Sequence, residues 1–141
     1  MTVYVIDSSV AIKWYVPEVH QAEAFRLRAS GAALHAPDFV NVEMAAILWK
    51  KLRRGELTRP DADDILKDFT SLATVTRHPC GPLVLPAFDF AHHSGRTVYD
   101  CLYLALAVQL GGQMVTADEK LVNSLAGSSW AGHIVKLQDV P

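Results

Sequence analysis

A three-layer α/β fold, with a mostly parallel central sheet of four to five strands flanked by helices, is what this sequence predicts, and three observations carry it. Short β-branched runs without polar alternation, such as Val3-Tyr4-Val5-Ile6, read as strands buried on both faces. Longer helix-forming stretches separate them, so strands and helices alternate along the chain. The composition allows that much burial: 141 residues, 50% hydrophobic and 20% charged with mean hydropathy +0.16, suit a single core. One domain over residues 1–141 is therefore expected.

In chain order, Val3–Ile6 is a central strand, and a helical stretch from Ser8 or Ser9 runs to a break at Pro17. Glu18 to Ser30 reads as helix closed by Gly31, and Ala32 to Ala36 as a short apolar strand. Asp38 is placed to cap a long helix that reaches Arg54 and stops at Gly55. Thr58 opens the next helix, with Pro60 in its first turn and Asp61 three residues on. Leu72 to Arg77 reads as a strand. Pro82 and Pro86 punctuate the segment from Cys80 to Gly95, and a helix is expected from near Leu85. Thr97 to Leu110 is helix up to Gly111-Gly112. Gln113 to Thr116 is strand, Asp118 to Leu125 helix, and His133 to Leu137 the last strand.

Several function classes fall away. The longest apolar run, Cys101 to Val108, is far short of the roughly 20 residues that cross a bilayer. The first residues lack the basic flank and small-residue cleavage site of a signal peptide, and Cys80 and Cys101 form no disulfide framework. A cytoplasmic protein with no membrane partner is the expectation. The net charge of −2 gives no sign of a nucleic-acid partner, so the placement of charge matters more than its sum.

In an open parallel sheet, sites form beyond the carboxyl ends of the strands. Asp7 ends the first strand, and Asp118 comes two residues after Gln113–Thr116; both fall on one edge if those strands are parallel neighbours. Each also suits a helix N-cap, and Asp100 has the capping spacing from Thr97. Glu43 is harder to explain structurally. It is the only polar residue between Val42 and Trp49, and at about 100° per residue Phe39, Val40, Ala46 and Ile47 lie within about 60° of it. Its carboxylate is therefore expected on a stripe that faces the core. Asp100 heads the apolar helix Cys101–Ala107 as the only charged residue between Arg96 and Asp118.

An unpaired buried carboxylate costs several kcal/mol or raises its pKa, and converging carboxylates repel. A shared cation answers both problems. Oxygen-only ligands select Mg²⁺ or Mn²⁺, while no Cys or His pair shows zinc spacing. Ser8, Ser9 and Thr116 can hold a bound water or phosphate oxygen, or can serve local turns.

Lys50, Lys51, Arg53 and Arg54 crowd four of the thirteen basic residues into one helix end. They suit either a phosphate-contacting nucleic-acid patch beside the acids or cations that complement the helix dipole. Setting the four acids aside turns the net charge from −2 to +2, which permits nucleic-acid binding. The six histidines are scattered and make no general acid–base pair. Trp14, Tyr15 and Trp49 are assigned to the core or an interface.

Four segments carry a resemblance. Asp7-Ser8-Ser9-Val10, Asn41-Val42-Glu43-Met44, Tyr99-Asp100-Cys101-Leu102-Tyr103-Leu104-Ala105-Leu106-Ala107 and Thr116-Ala117-Asp118-Glu119-Lys120 resemble, in order and context, the PIN-domain nucleases. The likeness is greatest to the VapC-type toxins of bacterial toxin–antitoxin pairs, and it runs from Val3 to Val135. It implies a three-layer α/β fold and a Mg²⁺-dependent endoribonuclease that hydrolyses RNA with activated water. It also implies a homodimer and a cognate antitoxin. Carried over, Asp7, Glu43, Asp100 and Asp118 are the metal-binding and catalytic set, with Ser8 and Thr116 as accessory polar groups. Arg77 to Gly95 is the stretch least like the family. The alternative is a non-catalytic α/β metal-binding regulatory or interaction domain, such as a phosphoacceptor receiver. A receiver would need a second acid beside the first strand, and a haloacid-dehalogenase-like phosphatase would need an acid where Ser9 stands.

Overall fold

The computed structural model describes residues 2–141. Its strands are β1 (Val3–Ile6), β2 (Ala33–Pro37), β3 (Val75–His78), β4 (Gln113–Thr116) and β5 (Ile134–Lys136). They form one sheet in the order β3-β2-β1-β4-β5, and every pairing is parallel. The helices are α1 (Ser8–Ala11), α2 (Gln21–Ala29), α3 (Phe39–Arg53), α4 (Arg59–Thr70), α5 (Val84–Ser94), α6 (Val98–Leu110) and α7 (Glu119–Leu125). No described helix is long and apolar enough to cross a membrane.

The core sits where the hydrophobic runs predict. Val5, Ile6, Met114 and Val115 on the two central strands are fully buried. Helix α6 buries every residue from Cys101 to Ala107, which is why that stretch shows no polar face. The chain leaves β1 for β2 and β3 on one side, then returns through α5 and α6 to β4 on the other. Val5 pairs with Met114 and Ile6 with Val115 across that junction. The crevice beyond the carboxyl ends of β1 and β4 is thus the switch point of the sheet, where open α/β folds place their ligands.

Local differences from expectation have local causes. The helix expected from Glu18 starts at Gln21, because His20 adopts a left-handed φ of 66°. Asp38 does not cap α3 with its side chain; it is already helical, and its backbone N–H donates to the His78 carbonyl at 2.7 Å. The strand expected from Leu72 starts at Val75, since Leu72 N–H still donates to the Phe69 carbonyl in the turn that ends α4. Thr58 does cap α4, accepting from Asp61 N–H at 3.2 Å. The proline-marked segment forms a 3₁₀ turn over Gly81–Leu83 that runs into α5, with Pro86 in the first turn, where no backbone donor is needed. Cys80 and Cys101 are free thiols.

A candidate active site at the switch point

Asp7 ends β1 and caps α1 with the same carboxylate. Its Oδ1 accepts from the Ser9 and Val10 backbone N–H groups at 3.0 and 3.3 Å, and from the Ser9 hydroxyl. Its Oδ2 accepts from Thr116 Oγ1 at 2.6 Å, across the β1–β4 junction. Two further bonds lock the hydroxyls: Ala117 N–H donates to Ser9 Oγ at 3.0 Å, and Asp118 N–H to Thr116 Oγ1 at 3.1 Å. Asp7 is only 7% exposed. Burial pushes its pKa up to about 6; the Ser9 and Thr116 bonds oppose the rise, and the Glu43 charge adds to it.

Glu43 faces Asp7 from the first turns of α3. Ser8 Oγ donates to its Oε1 at 3.4 Å, and the Tyr103 hydroxyl donates to the same oxygen in a close contact. Contrary to expectation, Glu43 does not lie on the core stripe. The buried face of α3 is Val40, Met44 and Leu48, while Ala46 is exposed; Glu43 sits half-buried on the margin, turned to the crevice. Burial raises its pKa, and the nearby Asp100 carboxylate raises it further. Tyr103 was missed in the sequence, read as one more apolar residue of its helix. The available signal was a hydroxyl in an otherwise aliphatic run: a phenol only 1% exposed needs a partner for its O–H.

Asp100 stands in the first turn of α6, where Thr97 Oγ1 accepts its backbone N–H at 3.1 Å. Burial raises its carboxyl pKa and the Asp118 charge adds, against Thr97 and Arg96. Asp118 caps α7, its Oδ1 accepting from Leu121 N–H at 3.1 Å. Its Oδ2 lies 3.5 Å from Arg96 Nη2. Arg96, which sequence reasoning did not single out, is thus a resident cation among the acids, and its buried Nε has no hydrogen-bond partner.

The four expected acids form an electrostatic row in which each feels the next: the Glu43 charge raises Asp7, the Asp100 charge raises Glu43, and the Asp118 charge raises Asp100. Among the described residues, no three Asp, Glu, His or Cys side chains converge on one point as placed. In kind, the donor set fits a hard divalent cation: all oxygen, partly buried, and mutually repelling. The histidines stay apart from the row. His35 Nδ1 and His78 Nε2 bond each other at 2.8 Å, and His133 bonds the Gly112 carbonyl at 2.9 Å.

A groove of about 390 Å³ is lined by Ser9, Ile12, Lys13, Glu18, Ile47, Lys50, Lys51 and Arg54. Three of the four basic residues expected to contact RNA therefore share one groove. Arg53 turns away, its guanidinium 4.9 Å from the centre of the Trp49 ring. Lys13, another lining residue, was not foreseen: it is only 6% exposed. Trp14 is core, its indole N–H donating to the Ala24 carbonyl at 2.9 Å, whereas Trp49 is 55% exposed. The rings of Phe39, one turn before Glu43, and Tyr99, one residue before Asp100, stack on each other at 5.2 Å.

Known proteins share this arrangement of elements. The profile of the PIN domain family matches residues 4–124. A curated relative, Ribonuclease VapC3 of Pyrobaculum aerophilum, is 35% identical over 118 residues, covering 83% of this chain and 90% of its own. The crystal structure of PAE2754 from the same organism superposes with a TM-score of 0.70 at 23% identity, over 97% of this chain and 85% of that one. A toxin-antitoxin complex from Klebsiella pneumoniae superposes with a TM-score of 0.66 at 12% identity, over 97% and 99% of the two chains. At such identities the structural likeness speaks for the fold alone, while the family match and the sequence relative go further: this chain belongs to the PIN domain family, in its VapC branch.

Proposed function

We propose that this chain is a metal-dependent endoribonuclease of the VapC toxin type, cleaving RNA by attack of water on a phosphodiester. The observation that supports it most is the row of carboxylates from Asp7 to Asp118 at the sheet switch point, in a chain of this family. Mg²⁺, or Mn²⁺ in its place, would supply charge neutralisation at the phosphate and a lowered pKa for a held water. Asp7 and Asp100 are the first candidates for direct ligands, with Glu43 and Asp118 holding a second ion or orienting the water.

The chain's own residues prepare that chemistry. Ser9 and Thr116 fix Asp7 in one rotamer through bonds to its two oxygens. Tyr103 and Ser8 hold Glu43 by its Oε1. Arg96 offsets part of the charge of Asp100 and Asp118. Lys50, Lys51 and Arg54 line the groove beside the row, suiting an approaching RNA backbone.

The same reading implies partners. A cognate antitoxin is supported by the fold shared with a toxin-antitoxin complex. A homodimer is supported by exposed apolar residues on α5, Leu85 at 80% and Phe88 at 67%.

The test is cleavage of total RNA by the purified chain, with Mg²⁺, with Mn²⁺ and with chelator, beside Asp7→Asn and Asp100→Asn. Cleavage that needs the ion and is lost in both variants is expected. Cleavage that persists in chelator or in both variants overturns the metal reading, and no cleavage in any lane favours a binding domain.

A further inference from the structure

The basic groove holds a carboxylate that the nuclease reading leaves without a task. Glu18 reaches into it and divides its oxygens between two lysines: Oε1 lies 3.1 Å from Lys13 Nζ, and Oε2 lies 3.4 Å from Lys51 Nζ. Lys13, in the 3₁₀ turn after α1, is less than a tenth exposed, and a cation so deep requires an anion. Glu18 is the anion present. Two oxygens of one group shared between two ammonium groups is also how the non-bridging oxygens of a phosphodiester are held.

Three further observations separate this arrangement from an ordinary ion pair. Lys50 and Arg54 line the same groove without an ion pair among the described residues, so four cations face one carboxylate. Ser9, whose hydroxyl bonds Asp7, is one of the groove's lining residues, so the groove adjoins the acidic row at that residue. Glu18 itself stands on the connection before α2, next to Val19 at 75% exposure and His20 in its left-handed conformation. Its side chain can leave without disturbing a helix or strand.

We propose that Lys13 and Lys51 form a subsite for a backbone phosphate of the RNA strand, which Glu18 occupies in the free protein and yields when RNA binds. The identity of the strand as RNA rests on the proposed nuclease activity; the subsite and its internal stand-in rest on the groove.

The experiment is fluorescence anisotropy of a short labelled single-stranded RNA, titrated with the full chain in chelator at several KCl concentrations. Glu18→Gln removes the competitor, and its RNA affinity should rise about fivefold at 0.1 M salt with little change in salt slope, because the same phosphate contact is made with or without Glu18. Lys51→Gln should weaken binding by a similar factor and flatten the slope by about 0.7, the counterion release of one lost phosphate contact. Circular dichroism establishes that each variant is folded. Unchanged or weaker binding by folded Glu18→Gln overturns the proposal; if that variant does not fold, an unchanged affinity and slope in Lys51→Gln overturns it instead. A polyglutamate peptide that binds Glu18→Gln more tightly than the RNA does would assign the groove to an acidic protein segment and likewise overturn it. Binding is read without divalent ions and so apart from cleavage. A wild-type chain that cleaves RNA while showing none of these shifts refutes the subsite alone, and one that neither binds nor cleaves RNA refutes the nuclease reading.

Discussion

Replacing Asp7 by Asn should abolish activity and, in the absence of metal, make the protein more stable. Asp7 is 7% exposed and its pKa rises from 3.8 to about 6, chiefly through burial. That difference of roughly two units corresponds to about 3 kcal/mol at about 1.36 kcal/mol per unit. The folded state therefore binds a proton that the unfolded state has lost between pH 3.8 and about 6. Stability from this group is greatest below pH 3.8, falls as the pH rises through that window, and above it the charged carboxylate remains as a penalty. Asn has no charge to bury. Its amide can keep the Ser9 and Val10 bonds to Oδ1, while its NH₂ donates to Thr116 Oγ1. The expected gain at pH 7.5 is about 1–3 kcal/mol, or several degrees in Tm. Thermal unfolding measured by circular dichroism in chelator, from pH 5 to 8, reads it out. Asp7→Asn should unfold at higher temperature than wild type at pH 7.5, with the gap narrowing toward pH 5. A lower Tm, or a gap that does not change with pH, would show that the carboxylate is tolerated by its hydrogen bonds alone, and the electrostatic reasoning would fail.

Mg²⁺ at about 100 times its Kd should stabilise the wild type by about 2.7 kcal/mol at pH 7.5, and should not stabilise Asp7→Asn or Asp100→Asn; equal shifts in all three, by scanning calorimetry, would place the ion elsewhere. Tyr103→Phe removes the hydroxyl that favours ionised Glu43, so the Glu43 pKa should rise further and the acid limb of the pH–rate profile should move to higher pH; an unmoved limb would separate Glu43 from the chemistry. Arg96→Gln removes a cation that competes for Asp118, so Mg²⁺ should bind about threefold to tenfold more tightly by isothermal titration while RNA binds more weakly; weaker Mg²⁺ binding would show that Arg96 organises the acids rather than competing for them.

What was legible in the sequence was what depends on short-range pattern. The strand Val3–Ile6, the helix closing at Gly55 and the apolar helix ending at Gly111 each combine a hydrophobic period with a terminating residue, and the structure keeps all three. The acids were visible for a related reason: charge in apolar surroundings stands out. What stayed hidden depends on contacts between distant elements. Glu43 lies one residue from Met44, and about 100° of rotation separates a core position from a crevice position, which periodicity over one helix does not resolve. Tyr103 and Glu43 are sixty residues apart, and Arg96 and Asp118 twenty-two. Lys13 looks like any exposed cation until the groove closes around its stem.

Of the two readings that the sequence left open for its aspartates, the helix cap holds for Asp7 and Asp118, and it uses only one oxygen of each carboxylate. Asp7 commits Oδ1 to the first turn of α1 and leaves Oδ2 to Thr116; Asp118 commits Oδ1 to Leu121 N–H and leaves Oδ2 to Arg96. Thr97 takes the capping role at α6 and so sets Asp100, one turn in, free of it. A cap restrains a carboxylate that burial and like charges would otherwise turn outward, because leaving would orphan backbone donors as well. Folding thus holds the second oxygens of Asp7 and Asp118 in place, and the repulsion on these two acids is borne by the helix termini. If that is how the row is kept together, Asp118→Ala should loosen the start of α7, while Asp118→Asn should keep α7 and lose only the charge, a difference that hydrogen exchange at Leu121 can read.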